Sequence, residues 1–197
     1  MRPLLPDDVQ RLLAGCGESD VGARDRAVMV MLLDTGLRSS ELSALNLDDV
    51  DITEMRIRVL HGKGNKQRVV AFSPACRDEL VRYLRLRGGD PGPLFCGTVG
   101  RSMLAPGVRL EANGLKHMMR RLSTKTGIAK VHPHRFRHTF ATWAIQQGAR
   151  EIDVQLLLGH STPEIVRRYT ASYNVEQAAR RHARFSPLLL ILGSRIS

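Results

Sequence analysis

A dense apolar segment constrains the fold of this chain more than any other feature. The apolar residues between Val21 and Asp34 include Ala27, Val28, Val30, Met31, Leu32 and Leu33. A helix that is apolar on most of its faces has to be buried among other elements. Gly36 follows where such a helix would end, because glycine adopts the left-handed C-cap conformation without steric cost. The segment therefore predicts a buried helix, with Arg38 just beyond its end.

Helix-starting residues predict several further helices. Pro6 precedes a stripe of apolar side chains at helical spacing, and Ser73 followed by Pro74 has the order of an N-cap and a first helical residue. Either Ser39 or Ser40 is expected to cap a short helix. The remaining predicted helices cover residues 74–87, 115–126, 133–148, 151–158, 163–169 and 175–184.

Residues 50–72 differ from their surroundings, because two short runs of β-favouring residues, IRVL and RVVAF, flank the sequence HGKGNKQ. Glycine and asparagine in that linker favour a turn. The pattern predicts a β-hairpin with Lys63 at its tip. Together with the helices, it indicates a mainly α fold with a small antiparallel β-hairpin or sheet, an α+β class.

The chain carries a strong excess of positive charge. Its 197 residues include 30 Lys and Arg against 19 Asp and Glu, which gives a formal net charge of +11 and a sequence pI of about 10.5. Such an excess favours a polyanionic partner through phosphate neutralisation and counterion release. Charge alone does not separate an enzyme from a noncatalytic binder of DNA or RNA, or from a protein whose basic surface has no partner.

The size of the chain indicates a single domain, and its cysteine content indicates reduced thiols. With 43% hydrophobic residues, a chain of 22.0 kDa can bury a core of its own. Its three cysteines, Cys16, Cys76 and Cys96, are widely spaced and odd in number, so we expect free thiols. No secretory signal is recognisable, and the apolar run PLLLIL at residues 187–192 is too short to span a bilayer. A cytoplasmic protein is therefore expected, without a membrane partner.

Groups suited to a phosphodiester recur along the chain. The segment PHRFRHTFATWAIQQG places His134 and Arg137 three residues apart, on one face of a predicted helix. Arg38 precedes them in TGLRSSEL, and His160 follows them in LGH. Tyr169 then supplies a nucleophile. A nucleophile together with clustered phosphate binders predicts covalent chemistry on a nucleic-acid backbone.

A metal site is the competing explanation for the histidines. His132, His134 and His138 lie close together in the sequence, as metal ligands do. Arg135 and Arg137 make their setting cationic, however, and no carboxylate or cysteine completes a ligand set. We therefore expect neither a metal nor another cofactor.

Five motifs, in this order and spacing, resemble the catalytic domain of the tyrosine recombinases, also called the phage integrase family. They are TGLRSSEL, HGKGNKQR, HPHRFRHTFAT, LLLGH and RRYT, and the resemblance runs from about Leu4 to Arg184. It implies a catalytic domain over residues 1–185 and a C-terminal tail over residues 186–197. The N-terminal core-binding domain of full recombinases is expected to be absent, because no sequence for it precedes Leu4.

The resemblance also implies a role for each motif residue. Tyr169 would attack the scissile phosphorus and form a 3′-phosphotyrosyl link, leaving a free 5′-hydroxyl. Arg38 and Arg137 would bind the nonbridging oxygens, whose geometry matches planar guanidinium groups. Lys63 matches the general acid that protonates the leaving 5′-oxygen.

The two histidines and a glutamate complete the implied site. His134 matches a residue proposed to assist proton removal from the tyrosine, and His160 matches one that hydrogen-bonds a phosphate oxygen. Glu41 matches an acid that supports the site, although an ordinary helix-start carboxylate is the alternative. Tyr173 is close enough in sequence to Tyr169 to be an alternative nucleophile.

The expected partners follow from the same resemblance. Double-stranded DNA would be the substrate, bound by a homo-oligomer, a tetramer, in the cytoplasm with the nucleoid. The tail over residues 186–197 would dock on a neighbouring protomer or fold back onto its own core. Two other functions stay open: a type IB topoisomerase, which shares the tyrosine, arginine and lysine chemistry but relaxes supercoils as a monomer, and a noncatalytic DNA-binding remnant.

Overall fold

The computed structural model describes residues 2–60, 67–100 and 103–159. The described elements are α1 (Pro6–Gly15), α2 (Asp20–Thr35), α3 (Ser39–Ala44), a 3-10 turn (Leu47–Asp49), β1 (Val50–Asp51), β2 (Arg56–Val59), β3 (Arg68–Ala71), α4 (Pro74–Arg87), β4 (Cys96–Val99), β5 (Met103–Arg109), α5 (Ala112–Thr126), α6 (Pro133–Gln146) and α7 (Glu151–Leu158). This confirms a mainly helical fold with small antiparallel sheets. The helices predicted at residues 163–169 and 175–184, and the tail over residues 186–197, lie outside the described residues.

Helix α2 is the buried helix that its apolar sequence predicts. It packs against α4 and α6, and Ser19 caps its start by accepting a hydrogen bond from the backbone N–H of Gly22 at 3.1 Å. Gly36 ends the helix with φ 64°. A Cβ at this position would lie 2.6 Å from side-chain atoms of both Leu158 and Phe140. The glycine therefore allows α6 and α7 to approach the end of α2 closely.

A three-stranded antiparallel sheet contains the predicted hairpin. Strand β2 lies between β1 and β3, with Ile57 opposite Val70 and Val59 opposite Arg68. The alternation of a strand turns Ile57, Val59 and Val70 into the core. The tip with Lys63 lies outside the described residues.

A second hairpin, β4 and β5, is missing from the sequence prediction. Its two strands pair antiparallel with an irregularity between Cys96 and Gly97. Strand β5 contains Pro106 and Gly107, which argue against a strand in the interior of a sheet. They are tolerated because β5 pairs with β4 alone among the described strands.

The short helix α3 forms where it is predicted, but the predicted cap is wrong. Its N-cap is Arg38, and neither Ser39 nor Ser40 caps it. The Glu41 carboxylate accepts the backbone N–H of Arg38 at 2.9 Å instead. A carboxylate at the third helical position can satisfy an N-cap donor in this way. Helix α5 also begins three residues earlier than predicted, at Ala112.

A buried ion cluster joins α2, α5 and β4. The fully buried carboxylate of Asp25 accepts hydrogen bonds from Arg24 at 2.7 and 3.0 Å and from Arg121. Arg24 also donates to the Cys96 carbonyl at 2.9 Å. Burial raises the pKa of Asp25, although both arginines oppose the shift. The cluster therefore fixes three elements at the cost of a buried charge.

Replacing Asp25 by Asn should lower the free energy of unfolding by about 3 kcal/mol, because Arg24 would stay buried without its counter-charge. Urea unfolding at neutral pH measures the loss. Asp78→Asn is the matched control, since Asp78 forms an exposed pair with Arg77 and should cost less than about 1 kcal/mol. Equal losses in the two variants would contradict a structural role for the cluster.

Candidate active site

Three arginines from different elements converge on the C-terminal end of α7. The last carbonyl groups of a helix lack partners within the helix and carry a partial negative charge. Guanidinium groups satisfy three of them here. The hydrogen bonds run from Arg68 Nε to Leu157 O at 3.0 Å, from Arg137 Nη2 to Leu158 O at 2.6 Å and from Arg38 Nη2 to Gly159 O at 3.2 Å.

Arg137 connects the ends of two helices. It lies on α6, is 3% exposed, and donates a second hydrogen bond from Nη1 to the carbonyl of Gly36 at 2.6 Å. Gly36 is the C-cap of α2, and Leu158 is the last residue of α7. Burying a charged group is unfavourable unless polar groups surround it. Both helix ends supply such groups, so the guanidinium is held rigidly.

Glu41 lies between the other two arginines and is 3% exposed. Arg68 binds its carboxylate through both terminal nitrogens, each at 2.8 Å, and Arg38 adds a contact from Nη1 at 2.7 Å. Burial raises the pKa of Glu41, but the hydrogen bonds from Arg68 and Arg38 outweigh burial and lower the pKa to about 2. The carboxylate is therefore ionised near neutral pH.

The balance of charge among these four side chains is positive. Arg38 and Arg68 contact the carboxylate of Glu41, and Arg137 binds the same end of α7. Three arginines against this one carboxylate leave two positive charges in excess. Guanidinium groups bind phosphate through paired N–H donors and stabilise charge that develops on it. Arg38 has the more exposed side chain of the two arginines that contact Glu41: 27% of it is exposed, against 13% for Arg68. The arrangement is suited to binding a phosphate or a similar anion.

The sequence-predicted residues fall into three groups. Arg38, Glu41 and Arg137 come together at the end of α7. His134 lies on the first turn of α6, one turn before Arg137, with an exposed side chain. The other three predicted residues, Lys63, His160 and Tyr169, lie outside the described residues, as does Tyr173.

Arg68 belongs to the cluster but is not predicted as a site residue from the sequence. It is the last residue of the motif HGKGNKQR and the first residue of β3. A signal existed, because the alternation of a strand puts Arg68 on the same face as the buried Val70 and opposite the exposed Val69. An arginine on the inward face of a strand needs an anionic or polar partner.

A second basic feature lies beside the start of α6. This basic groove has a volume of about 490 Å³, and its charged and imidazole side chains are Arg2, Asp8, Arg11, Lys130, His132 and Arg135. His132 caps α6 by accepting the backbone N–H of Arg135 on Nδ1 at 3.3 Å. Burial, with the nearby charges of His134 and Arg135, lowers the pKa of His132.

Neither a metal centre nor a membrane span emerges from the described ranges. Within residues 2–60, 67–100 and 103–159, no three His, Cys, Asp or Glu side chains are grouped so that they could hold a metal ion. In the same ranges no helix has the length and apolar character needed to cross a bilayer.

A family model and two curated sequences are similar to most of this chain. The model of the phage integrase family matches residues 2–176. Tyrosine recombinase XerC of Staphylococcus carnosus is 37% identical over 153 residues, which is 76% of this chain and 49% of the relative. XerC of Rhodospirillum centenum is 39% identical over 177 residues, 86% of this chain and 50% of the relative. The chain thus spans about half the length of the curated relatives it matches.

Solved structures with the same fold include recombinases and integrases. XerA recombinase has a TM-score of 0.74 at 30% identity, covering 95% of this chain and 64% of that protein. The catalytic domain of bacteriophage HP1 integrase has a TM-score of 0.67 at 26% identity, covering 95% of this chain and 96% of that domain. With the family match over most of its length, these similarities show that the chain belongs to the phage integrase family.

Proposed function

We propose that this chain is the catalytic domain of a tyrosine-type site-specific recombinase, which cleaves and rejoins DNA strands through a 3′-phosphotyrosyl intermediate. The observation that carries the proposal is the convergence of Arg38, Arg68 and Arg137 on the end of α7, where Glu41 lies between Arg38 and Arg68. Membership of the phage integrase family supports the reaction type. The presence of all six motif residues, Arg38, Lys63, His134, Arg137, His160 and Tyr169, argues against a noncatalytic remnant.

The arginines act on the phosphate. Arg38 and Arg137 bind the nonbridging oxygens of the scissile phosphodiester, which carries one negative charge before attack. A second negative charge develops on those oxygens in the transition state. Two excess positive charges that helix ends hold in place stabilise the transition state more than the ground state. Such preorganised groups account for much of the rate enhancement in many enzymes.

The proposed bond changes balance without an energy source. Tyr169 loses its phenolic proton with the help of His134 and forms a bond to phosphorus, while the bond from phosphorus to the 5′-oxygen breaks. Lys63 gives a proton to that leaving oxygen, and His160 donates a hydrogen bond to a phosphate oxygen. In the second step a 5′-hydroxyl attacks the phosphotyrosine, so a DNA phosphodiester is regained and the tyrosine is released.

The proposed partner is double-stranded DNA. A related recombinase, XerH, has been solved bound to its difH substrate, with a TM-score of 0.69 and 26% identity to this chain. The net charge of +11 favours such a partner. Assembly as a homo-oligomer, a tetramer on DNA, and a location in the cytoplasm with the nucleoid belong to the same proposal.

The basic groove beside the start of α6 is proposed as part of the DNA path. Arg2, Arg11, Lys130 and Arg135 outnumber its one carboxylate, Asp8. The groove contains His132, which is two residues from His134 and hence within about 7 Å of it along the chain. A backbone phosphate near the cleaved one would therefore meet these cations.

Tyr169→Phe should abolish covalent attachment to DNA, because phenylalanine has no oxygen to bond to phosphorus. The test is a nicked duplex substrate from which a short 5′-hydroxyl strand diffuses away after cleavage, trapping the adduct on a denaturing gel. Tyr173→Phe is the matched control and should still form the adduct. An adduct with Tyr169→Phe would refute the nucleophile assignment. Site-independent relaxation of supercoils by the wild type would favour a topoisomerase instead.

Removing two cations from the basic groove should reduce the salt dependence of DNA binding. Each phosphate contact contributes a slope of roughly −0.9 in a plot of log affinity against log salt. Arg11→Gln with Lys130→Gln should therefore make this negative slope shallower by between about 1 and 2. Fluorescence anisotropy across a salt series measures it. The control removes the same charge from exposed positions on α4, Arg82→Gln with Arg85→Gln. Equal slopes in both double variants would exclude the groove from the DNA path.

A further inference from the structure

We propose that Arg68 is a positioning residue for the phosphate-binding arginines: it balances the charge of Glu41 and fixes the end of α7, so that the charge of Arg38 stays available to DNA. This inference rests on the proposed function and extends it to a residue that would not touch the substrate. Two arginines of one cluster therefore have different roles. Arg68 acts on the protein, and Arg38 acts on the phosphate.

The contacts of Arg68 are turned inward. Its two terminal nitrogens bind the two carboxylate oxygens of Glu41 at 2.8 Å each, and its Nε binds the Leu157 carbonyl at 3.0 Å. All three guanidinium nitrogens are therefore engaged within the protein. Arg38 makes a single side-chain contact with Glu41 and a longer one, 3.2 Å, with Gly159. Arg38 is thus the partner that can turn toward a ligand.

Charge balance explains why the second arginine is needed. Glu41 is 3% exposed and accepts hydrogen bonds from Arg38 and Arg68. If Arg68 were uncharged, the carboxylate would have Arg38 as its remaining cation among these contacts, and the pair would be close to neutral. A phosphate would then compete with Glu41 for the same guanidinium. With Arg68 present, the carboxylate is satisfied and one positive charge remains.

Through the packing of α7, Arg68 also influences the position of Arg38. Gly159 has φ 61°, and a Cβ there would lie 3.1 Å from Cδ, Nε and Cζ of Arg68. The backbone at the end of α7 therefore rests directly on the Arg68 side chain. Since the Gly159 carbonyl accepts a hydrogen bond from Arg38, moving this backbone would also move an acceptor that orients Arg38.

The test measures the rate of adduct formation on two versions of the nicked substrate. One carries the ordinary scissile phosphate, and the other carries a methylphosphonate there, which removes one negative charge. Arg68→Gln should slow the ordinary reaction by about 100-fold, the size expected for losing a preorganised charge. On methylphosphonate the deficit should shrink to about tenfold or less, because less charge needs to be stabilised. The ratio of the two rates within one preparation does not depend on how much of the variant is folded.

A double-mutant cycle tests the charge-balance step directly. Glu41→Gln keeps the shape of the side chain without its charge, so Glu41→Gln combined with Arg68→Gln should react at least tenfold faster than Arg68→Gln alone. Arg68→Lys retains the charge without the planar fork, and its rate ratio between the two substrates should stay near that of the wild type. This variant also provides a readout if Arg68→Gln folds poorly.

Two results would overturn the inference while leaving the proposed function intact. One is an equal deficit of Arg68→Gln on both substrates, which would indicate a purely structural role. The other is a double variant that reacts no faster than Arg68→Gln alone. Both require that the wild type forms the adduct. If the wild type formed none on either substrate, the proposed function would fail, and the inference about Arg68 would fail with it.

Discussion

The carbonyl groups at the end of α7 are the feature on which the candidate site depends. A helix end offers partial negative charges that cannot be neutralised by protonation and that are fixed by the helix itself. Arg38, Arg68 and Arg137 each donate to one of them, although they come from α3, β3 and α6. One backbone segment therefore sets the positions of three side chains. A partial charge also orients an arginine without cancelling it, as a full carboxylate would.

The close approach of α7 to the rest of the molecule depends on glycine at two positions. Gly36 allows Leu158 and Phe140 to pack against the end of α2, and Gly159 allows the backbone to rest on Arg68. Both residues have positive φ, so a side chain would be strained as well as crowded. The cluster of arginines is thus a consequence of how two helices, α2 and α7, end. Their carbonyls face inward because their chains turn sharply there.

The sequence was sufficient to predict what depends on local chemistry. Gly36 as a C-cap and Ser73 as an N-cap follow from propensities of single residues. Arg137 could be grouped with Arg38 and Glu41 through the family motifs alone, since it lies on α6 and they lie at the start of α3. The contacts of Arg68 and the strand at Pro106 could not be predicted in this way, although strand alternation already places Arg68 on the inward face. Both depend on long-range partners, the end of α7 for one and β4 for the other, which no local pattern contains.

Two clusters in this molecule share a composition and differ in behaviour. Asp25 and Glu41 are each buried between two arginines. Burial dominates at Asp25 and raises its pKa, whereas Glu41 receives an additional backbone N–H and its pKa falls. At Glu41 the hydrogen bonds and the arginine charges together favour the charged form more than burial opposes it, whereas at Asp25 they do not. The carboxylate of Glu41 stays ionised, and it therefore holds Arg38 and Arg68 close together against their mutual repulsion.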